Sequence, residues 1–303
     1  MKKSKVIIPA LGVLVLSTAA SITGTVAWFT ASRTATMTTG DFAVVATDGT
    51  LEINLTAGVG TTVNDSTKVV SPKEVSSNPI KLGDASFNPA SKQLWNNSGN
   101  STTSFVTVGS ASSYSMADGG SHGWAYSSGK VYHAVSWKVT VKYTWGEDYT
   151  ALNVYLNMDS TDTGNNCTMT GSKDSGADAA NKTYEGYRIA VIGTSKTIVY
   201  AGLKPTANKS DVACVTGAST TAQVTTLSTA VFCQGDTLAK ADDHADESAR
   251  SDFLGSITHT ADAVYDTMDI YCVAWYEGTD PKVISGNEMD KVQSRLGFYA
   301  ALD

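Results

Sequence analysis

The side chains able to carry chemistry are few and scattered. Four histidines, His122, His133, His244 and His259, stand far apart in the chain. None lies in His-Glu-x-x-His, the spacing that sets two zinc ligands one helical turn apart with a general base between them. His133 falls on the inward parity of an apolar strand pattern, where a histidine reads as a hydrogen-bonded core residue and not as a ligand. Ser127-Ser128-Gly129-Lys130 matches Ser-x-x-Lys in letters only. Enzymes using that pair open a helix at the serine, which turns the lysine back on the hydroxyl; this serine leads through glycine into a strand. Gly-x-Ser-x-Gly, a phosphate-cradling glycine loop and a dinucleotide fingerprint are all missing. The expectation is a protein that is not an enzyme and uses no cofactor.

Three further groups of side chains suggest binding or crosslinking. Asp159 and Asp162, in Asp-Ser-Thr-Asp-Thr-Gly-Asn-Asn, offer oxygen ligands on a tight loop and are a calcium candidate. The loop lacks the distal bidentate glutamate and the spacing of an EF-hand, so no metal is expected. Asp242-Asp243-His244-Ala245-Asp246-Glu247 reads as the solvated face of a helix. Cys167, Cys214, Cys233 and Cys272 are an even set, open to three full disulfide pairings or to buried thiols, and no Cys-x-x-Cys points to zinc. Trp95, Trp124, Tyr114 and Tyr126 sit in a long polar region, where sugar-binding modules place stacking platforms. Large aromatics more often cover a core.

The elements that must position these groups are strands. Val131 to Trp145 puts Val131, His133, Val135, Trp137, Val139, Val141 and Tyr143 on one face, with lysines and threonines prominent on the other. Such period-two alternation is a half-buried strand. Ala151 to Met158 continues it, and the two read as an antiparallel pair around Gly146 to Thr150. Phe42 to Ala46 and Leu51 to Leu55 read as a hairpin around Asp48-Gly49. Tyr187 to Ile192 and Thr197 to Ala201 read as another. Met268 to Tyr276 and Leu296 to Ala301 are strands. Gln234 to Leu254 breaks the pattern: Leu238, Ala241, Ala245, Ala249 and Phe253 approach helical spacing, and Gly255 would stop that helix. Strand follows strand without a βαβ rhythm, which predicts an all-β fold. Its expected form is a β-sandwich, jelly-roll-like, with long loops and one short helical insertion.

The beginning of the chain is an export signal. Lys2, Lys3 and Lys5 precede 24 uncharged residues, Val6 to Phe29, which close on Gly24-Thr25-Val26-Ala27. Small side chains at Thr25 and Ala27 place cleavage before Trp28; retention as a membrane anchor is the alternative. Beyond the cut, Phe29, Ala31, Arg33, Ala35 and Met37 alternate with Thr30, Ser32, Thr34, Thr36 and Thr38, a strand with one mostly apolar face. Gly24-Thr25-Val26-Ala27-Trp28-Phe29, followed by Ala35-Thr36-Met37-Thr38-Thr39-Gly40-Asp41-Phe42, resembles the start of TasA/camelysin-type proteins, with their Gly-Thr-x-Ala-x-Phe and Ala-Thr-Phe-x-x-Gly-x-Leu. Those are exported fibre and matrix proteins of Gram-positive bacteria, processed by a dedicated signal peptidase. The acidic residue they carry just after the phenylalanine is replaced by Thr30-Ala31, which leaves the peptidase open. Trp275-Tyr276-Glu277-Gly278-Thr279-Asp280-Pro281 is similar to a Trp-x-Glu-Gly-x-Asp-Pro stretch in exported proteins of that group.

Composition agrees with export. Charged residues make up 17 % of the chain, and removal of residues 1–27 moves the net charge from −7 to −10. An acidic protein with scattered lysines excludes nucleic acid as a partner and leaves contact with membrane to the export step. Residues 28–303 are expected to form a single domain with insertions at about 84–129 and 204–256. The resemblance implies a secreted biofilm-matrix or cell-surface fibre subunit. Its partners would be itself, head to tail, or related matrix subunits, with Phe29, Ala31, Ala35 and Met37 on the assembly strand. The second expectation is a secreted carbohydrate-binding β-sandwich module.

Overall fold

The computed structural model describes residues 34–38, 42–43, 50–58, 61–72, 85–88, 93–96, 106–107, 134–146, 149–172, 183–207, 230–239, 247–277, 280 and 291–302. In chain order the strands are β1 (Thr34–Thr38), β2 (Phe42–Ala43), β3 (Thr50–Ala57), β4 (Thr61–Asn64), β5 (Val69–Pro72), β6 (Ala85–Asn88), β7 (Gln93–Asn96) and β8 (Val106–Thr107). There follow β9 (Ala134–Thr144), β10 (Ala151–Leu156), β11 (Thr168–Ser172), β12 (Tyr187–Ile192), β13 (Thr197–Pro205), β14 (Ala230–Gln234), β15 (Phe253–Thr258), β16 (Tyr265–Tyr276) and β17 (Lys291–Leu302). The fold is all-β.

Two six-stranded sheets carry the molecule. One runs β15-β10-β17-β1-β2, with β11 also on β17; the other runs β14-β13-β12-β16-β9-β3. Most neighbours are antiparallel, while β13 and β14 are parallel. The hairpin β4–β5 and the three-stranded sheet β6-β7-β8 are separate. Trp95, in β7, lies in the long polar region expected to pack on the sandwich.

A single apolar cluster joins the two large sheets in a sandwich-like arrangement. It follows from the alternation in β9, where Trp137, Val139 and Val141 point inward and are essentially inaccessible. On the opposite face Lys138 and Thr140 bind the Asp269 carboxylate at 3.1 and 2.6 Å, and Lys142 reaches Glu52 at 3.1 Å. Inward residues from β10, β12 and β16 complete the cluster: Val154, Leu156, Ile189, Val191, Ile270, Cys272 and Ala274. All ten of these residues are buried.

Three expectations about connections are corrected. β9 and β10 are not a hairpin: β9 pairs with β16 and β3, β10 with β15 and β17. Both strands carry a strong inward face, and the short link between them crosses from one sheet to the other so that the faces meet. In the same way β2 pairs with β1 in the first sheet and β3 with β9 in the second, so the described parts of these two strands are not paired with each other as the expected hairpin requires. The helix expected over 234–254 is absent among the described residues. Residues 230–234 are strand, 247–249 form a single 3-10 turn, and Phe253 and Leu254 begin β15. Gly255 is no helix stop. It sits at φ +152° beside the bulge where β10 pairs β15, and a Cβ there would lie 2.0 Å from the Thr194 hydroxyl. By contrast, β12 and β13 form the expected hairpin, in register from Ile189 opposite Tyr200 to Ile192 opposite Thr197.

Candidate assembly seam and the charged turn

β17 is the strand on which the first sheet is assembled. Leu296, Phe298 and Ala300 face the shared core, while Tyr299 and Ala301 pack on the other face with Tyr155 and Phe253. Along one edge β10 covers residues 298–302 and β11 covers 291–295. Between them the 157–167 loop presses onto Gly297: Asn157 N–H donates to Gly297 O at 2.7 Å, and Gly297 N–H donates to Cys167 Sγ at 3.1 Å. A Cβ at 297 would stand 2.0 Å from Asn165 O, so only glycine allows this approach.

The other edge of β17 belongs to β1. The register runs from Thr34 opposite Tyr299 to Thr38 opposite Arg295, with Ala35 opposite Phe298 and Met37 opposite Leu296. Alternate residues of an antiparallel strand direct their N–H and C=O groups to opposite neighbours. Gly297 uses both groups on the 157–167 side, which leaves those of Leu296 and Phe298 to β1. Two of the four proposed assembly residues thus lie on this seam. Phe29 and Ala31 lie outside the described residues, as do the expected cleavage positions Thr25, Ala27 and Trp28. Here β1 completes the sheet of its own chain.

The Trp-x-Glu-Gly-x-Asp-Pro stretch encloses charge. Trp275 stands opposite Arg188 across β16 and β12, on the face of the second sheet turned away from the core, since Ala274 and Ile189 face inward. Beyond β16 the chain turns, with Asp280 N–H donating to Glu277 O at 3.0 Å and Glu277 N–H to Gly186 O at 2.9 Å. Asp280 Oδ2 lies 2.6 Å from Arg188 Nη2 and 2.7 Å from Lys204 Nζ, with all three side chains 5 % exposed or less. Trp275 Nε1 donates to Glu277 Oε2 at 2.9 Å, and Arg188 Nη1 donates to Glu185 O at 2.7 Å. Two buried cations are matched by two buried carboxylates. The motif marked its own acids in the sequence, but nothing local to it marked Arg188 or Lys204. They come from β12 and β13, and only the sheet pairing brings them there.

Elsewhere the candidate residues are engaged locally. Asp162 Oδ2 and Oδ1 accept from Asn157 Nδ2 and Asn165 Nδ2 at 2.9 and 2.8 Å, and Asp159 Oδ1 accepts from Thr161 N–H and Oγ1. These carboxylates brace the loop that meets Gly297, and no cluster of three metal-ligating side chains occurs among the described residues. No disulfide joins Cys167, Cys233 and Cys272, all three of which are buried; Cys214 lies outside the described residues. Burial raises the thiols, Cys167 to about 12 and Cys272 well above its ordinary value. His259 stacks on Trp145 at 4.5 Å, with its ring nitrogens 3.1 Å from Tyr149 O and 3.2 Å from Ala263 O. Asp266 accepts there from Thr260 N–H and from Trp145 Nε1, and is held below its ordinary value chiefly by the Thr260 N–H. Comparison of the chain with protein-family models, curated proteins and solved structures finds no match.

Proposed function

We propose that the chain is an exported structural subunit of a Gram-positive cell-surface or matrix fibre, assembling through its N-terminal strand. One observation carries this: the first described strand, just past the expected cleavage site, fills the edge of β17. A strand that a subunit holds near its free end can be traded for the same strand of the next subunit. Main-chain hydrogen bonds then supply affinity and the register supplies specificity. Because the same pairing is lost and regained, the exchange changes connectivity more than contact energy. Head-to-tail pairing of this kind need not close on itself, and then propagates as a filament. A jelly-roll-like organisation of the two sheets belongs to the same proposal.

Electron microscopy of the purified mature protein, beside a variant lacking residues 28–43, tests it. Wild type forms filaments. The shortened protein forms none, but takes up a peptide of residues 28–43 supplied separately. Filaments from the shortened protein, or a wild type that stays monomeric at every concentration, overturn the proposal. Retention on insoluble polysaccharide that is lost in Trp95→Ala would instead favour the carbohydrate-binding module.

A further inference from the structure

We infer that Lys204 and Asp280 are the two ends of a spontaneous intramolecular amide crosslink. The four lysine–carboxylate ion pairs among the described residues make the choice. Lys68–Asp65, Lys138–Asp269 and Lys142–Glu52 all keep between 24 and 55 % of their side chains in solvent. In Lys204–Asp280 the amine and carboxylate are 2.7 Å apart with 5 % and 0 % exposed. An exposed pair stays ionic because water solvates both charges, and a solvated ammonium and carboxylate do not condense. A dry pair loses that solvation, and a water released by condensation has no reason to remain.

The neighbours of the pair fit the chemistry. Asp280 is fixed by two independent contacts, its N–H to Glu277 O and its Oδ2 to Arg188 Nη2, so the carboxyl group is held in place for the amine. Glu277 is the second buried carboxylate of the same turn and is fully enclosed. In the inferred step the Lys204 ammonium passes one proton to the Asp280 carboxylate 2.7 Å away, and the freed Nζ attacks Cγ of that carboxylic acid. The permanently charged Arg188 guanidinium stabilises the oxyanion of the tetrahedral adduct. The transferred proton and a second proton from nitrogen leave on one carboxyl oxygen. The N–C bond forms, the C–O bond breaks and one water leaves. The charges of the pair cancel, and no oxidant or co-reactant is required. The product ties the end of β13 to the turn after β16, a covalent staple in a fold where no disulfide joins the described cysteines. It does not depend on the fibre proposal.

Tandem mass spectrometry of a proteolytic digest of the full chain decides it. The expected product is a branched peptide joining the Lys204 and Asp280 segments, lighter than their sum by one water. Asp280→Asn should give the same branched product, by loss of ammonia in place of water. Lys204→Arg keeps the cation and should give none. Two linear peptides of full mass from folded wild type overturn the inference, as does a branch at any other carboxylate.

Discussion

Gly297→Ala concentrates much of what the fold requires into one methyl group. The added Cβ would stand 2.0 Å from Asn165 O, so backbone must move by about 1 Å or more to reach even the shortest contact real Cβ atoms show. Neither side moves freely. Asn165 O accepts from Asn157 Nδ2 at 3.1 Å, and Asn157 also donates its N–H to Gly297 O. On the other edge Gly297 stands opposite Thr36 in β1. Overpacking strain of about 1–3 kcal/mol, plus about 1 kcal/mol for the Asn157–Asn165 hydrogen bond, predicts a loss of roughly 2–4 kcal/mol. Urea denaturation followed by tryptophan fluorescence measures it, with Gly164→Ala as control. Gly164 has φ +107° with nothing within 4 Å of a Cβ, so that change carries only backbone strain, about 1–2 kcal/mol. Native-state labelling of Cys167 supplies a second readout, because its Sγ accepts from Gly297 N–H and should become reactive once that contact opens. A loss below about 0.5 kcal/mol, the range of an ordinary surface change, would refute the close approach of the loop.

Leu156→Ala removes a fully enclosed side chain from the shared core and should destabilise by about 2–5 kcal/mol in the same assay; a near-neutral result would mean that β10 turns a different face inward. Cys167, Cys272, Tyr187 and Tyr200 are all raised in the folded state, chiefly by burial. Such groups keep their protons when folded and lose them sooner when unfolded, so stability should fall as pH rises above about 9; denaturation midpoints that hold steady to pH 11 would contradict this. Asp266 is lowered, so its contribution is present above about pH 4, the unfolded carboxylate value, and is lost as pH falls through its folded value. Trp145 fluorescence should report that transition through Nε1, and the change should vanish in Asp266→Asn.

How much of this was legible in the sequence depended on the range of the interaction. Alternation is local, and the inward faces it marked in β9, β10, β12 and β16 do lie in the shared core, but it missed the buried residues of the opposite faces, among them Tyr155, Arg188, Val273 and Trp275. Which strand pairs with which is not local. The inward faces of β9 and β10 suit a hairpin and a sheet-to-sheet crossing equally, because both bury the same valines and leucines. The helix expected over 234–254, which the described residues of that stretch do not form, arose in a similar way. Leu238 and Phe253 do face apolar surroundings, but as parts of different segments, and the alanines between them suggested a single helical stripe. Gly255 read as a terminator because a glycine permitting a bulge and one ending a helix look alike in sequence. The Trp-x-Glu-Gly-x-Asp-Pro stretch was visible as a motif, yet its meaning required Arg188 and Lys204. A buried carboxylate implies a cation somewhere, and the tertiary fold alone says which.

The two edges of β17 differ in a way that bears on assembly. Its β10–β11 side is closed by a loop that is braced by Asp162, locked to Gly297 and continuous with strands in the middle of the chain. Opening that side would disrupt the core. The β1 side is closed by five residues near the chain start, paired otherwise, among the described residues, only with the two residues of β2. Releasing β1 and β2 breaks no pairing in the second sheet and leaves the charged turn at Glu277 and Asp280 untouched, since that turn is anchored on β12 and β13. The cost of release is concentrated at Leu296 and Phe298, whose main-chain groups would then face water or another strand. An edge that is apolar on its core face and short of hydrogen-bond partners favours the strand over water. In the proposed assembly a neighbour's copy of β1 would, at high subunit concentration, satisfy the same groups as the subunit's own. Fibre growth by this route should therefore depend steeply on concentration and little on the stability of the core, so that Leu156→Ala weakens the fold while leaving the critical concentration for assembly nearly unchanged. A critical concentration that rises in step with the lost stability would place the assembly contact in the sandwich itself and not at its N-terminal strand.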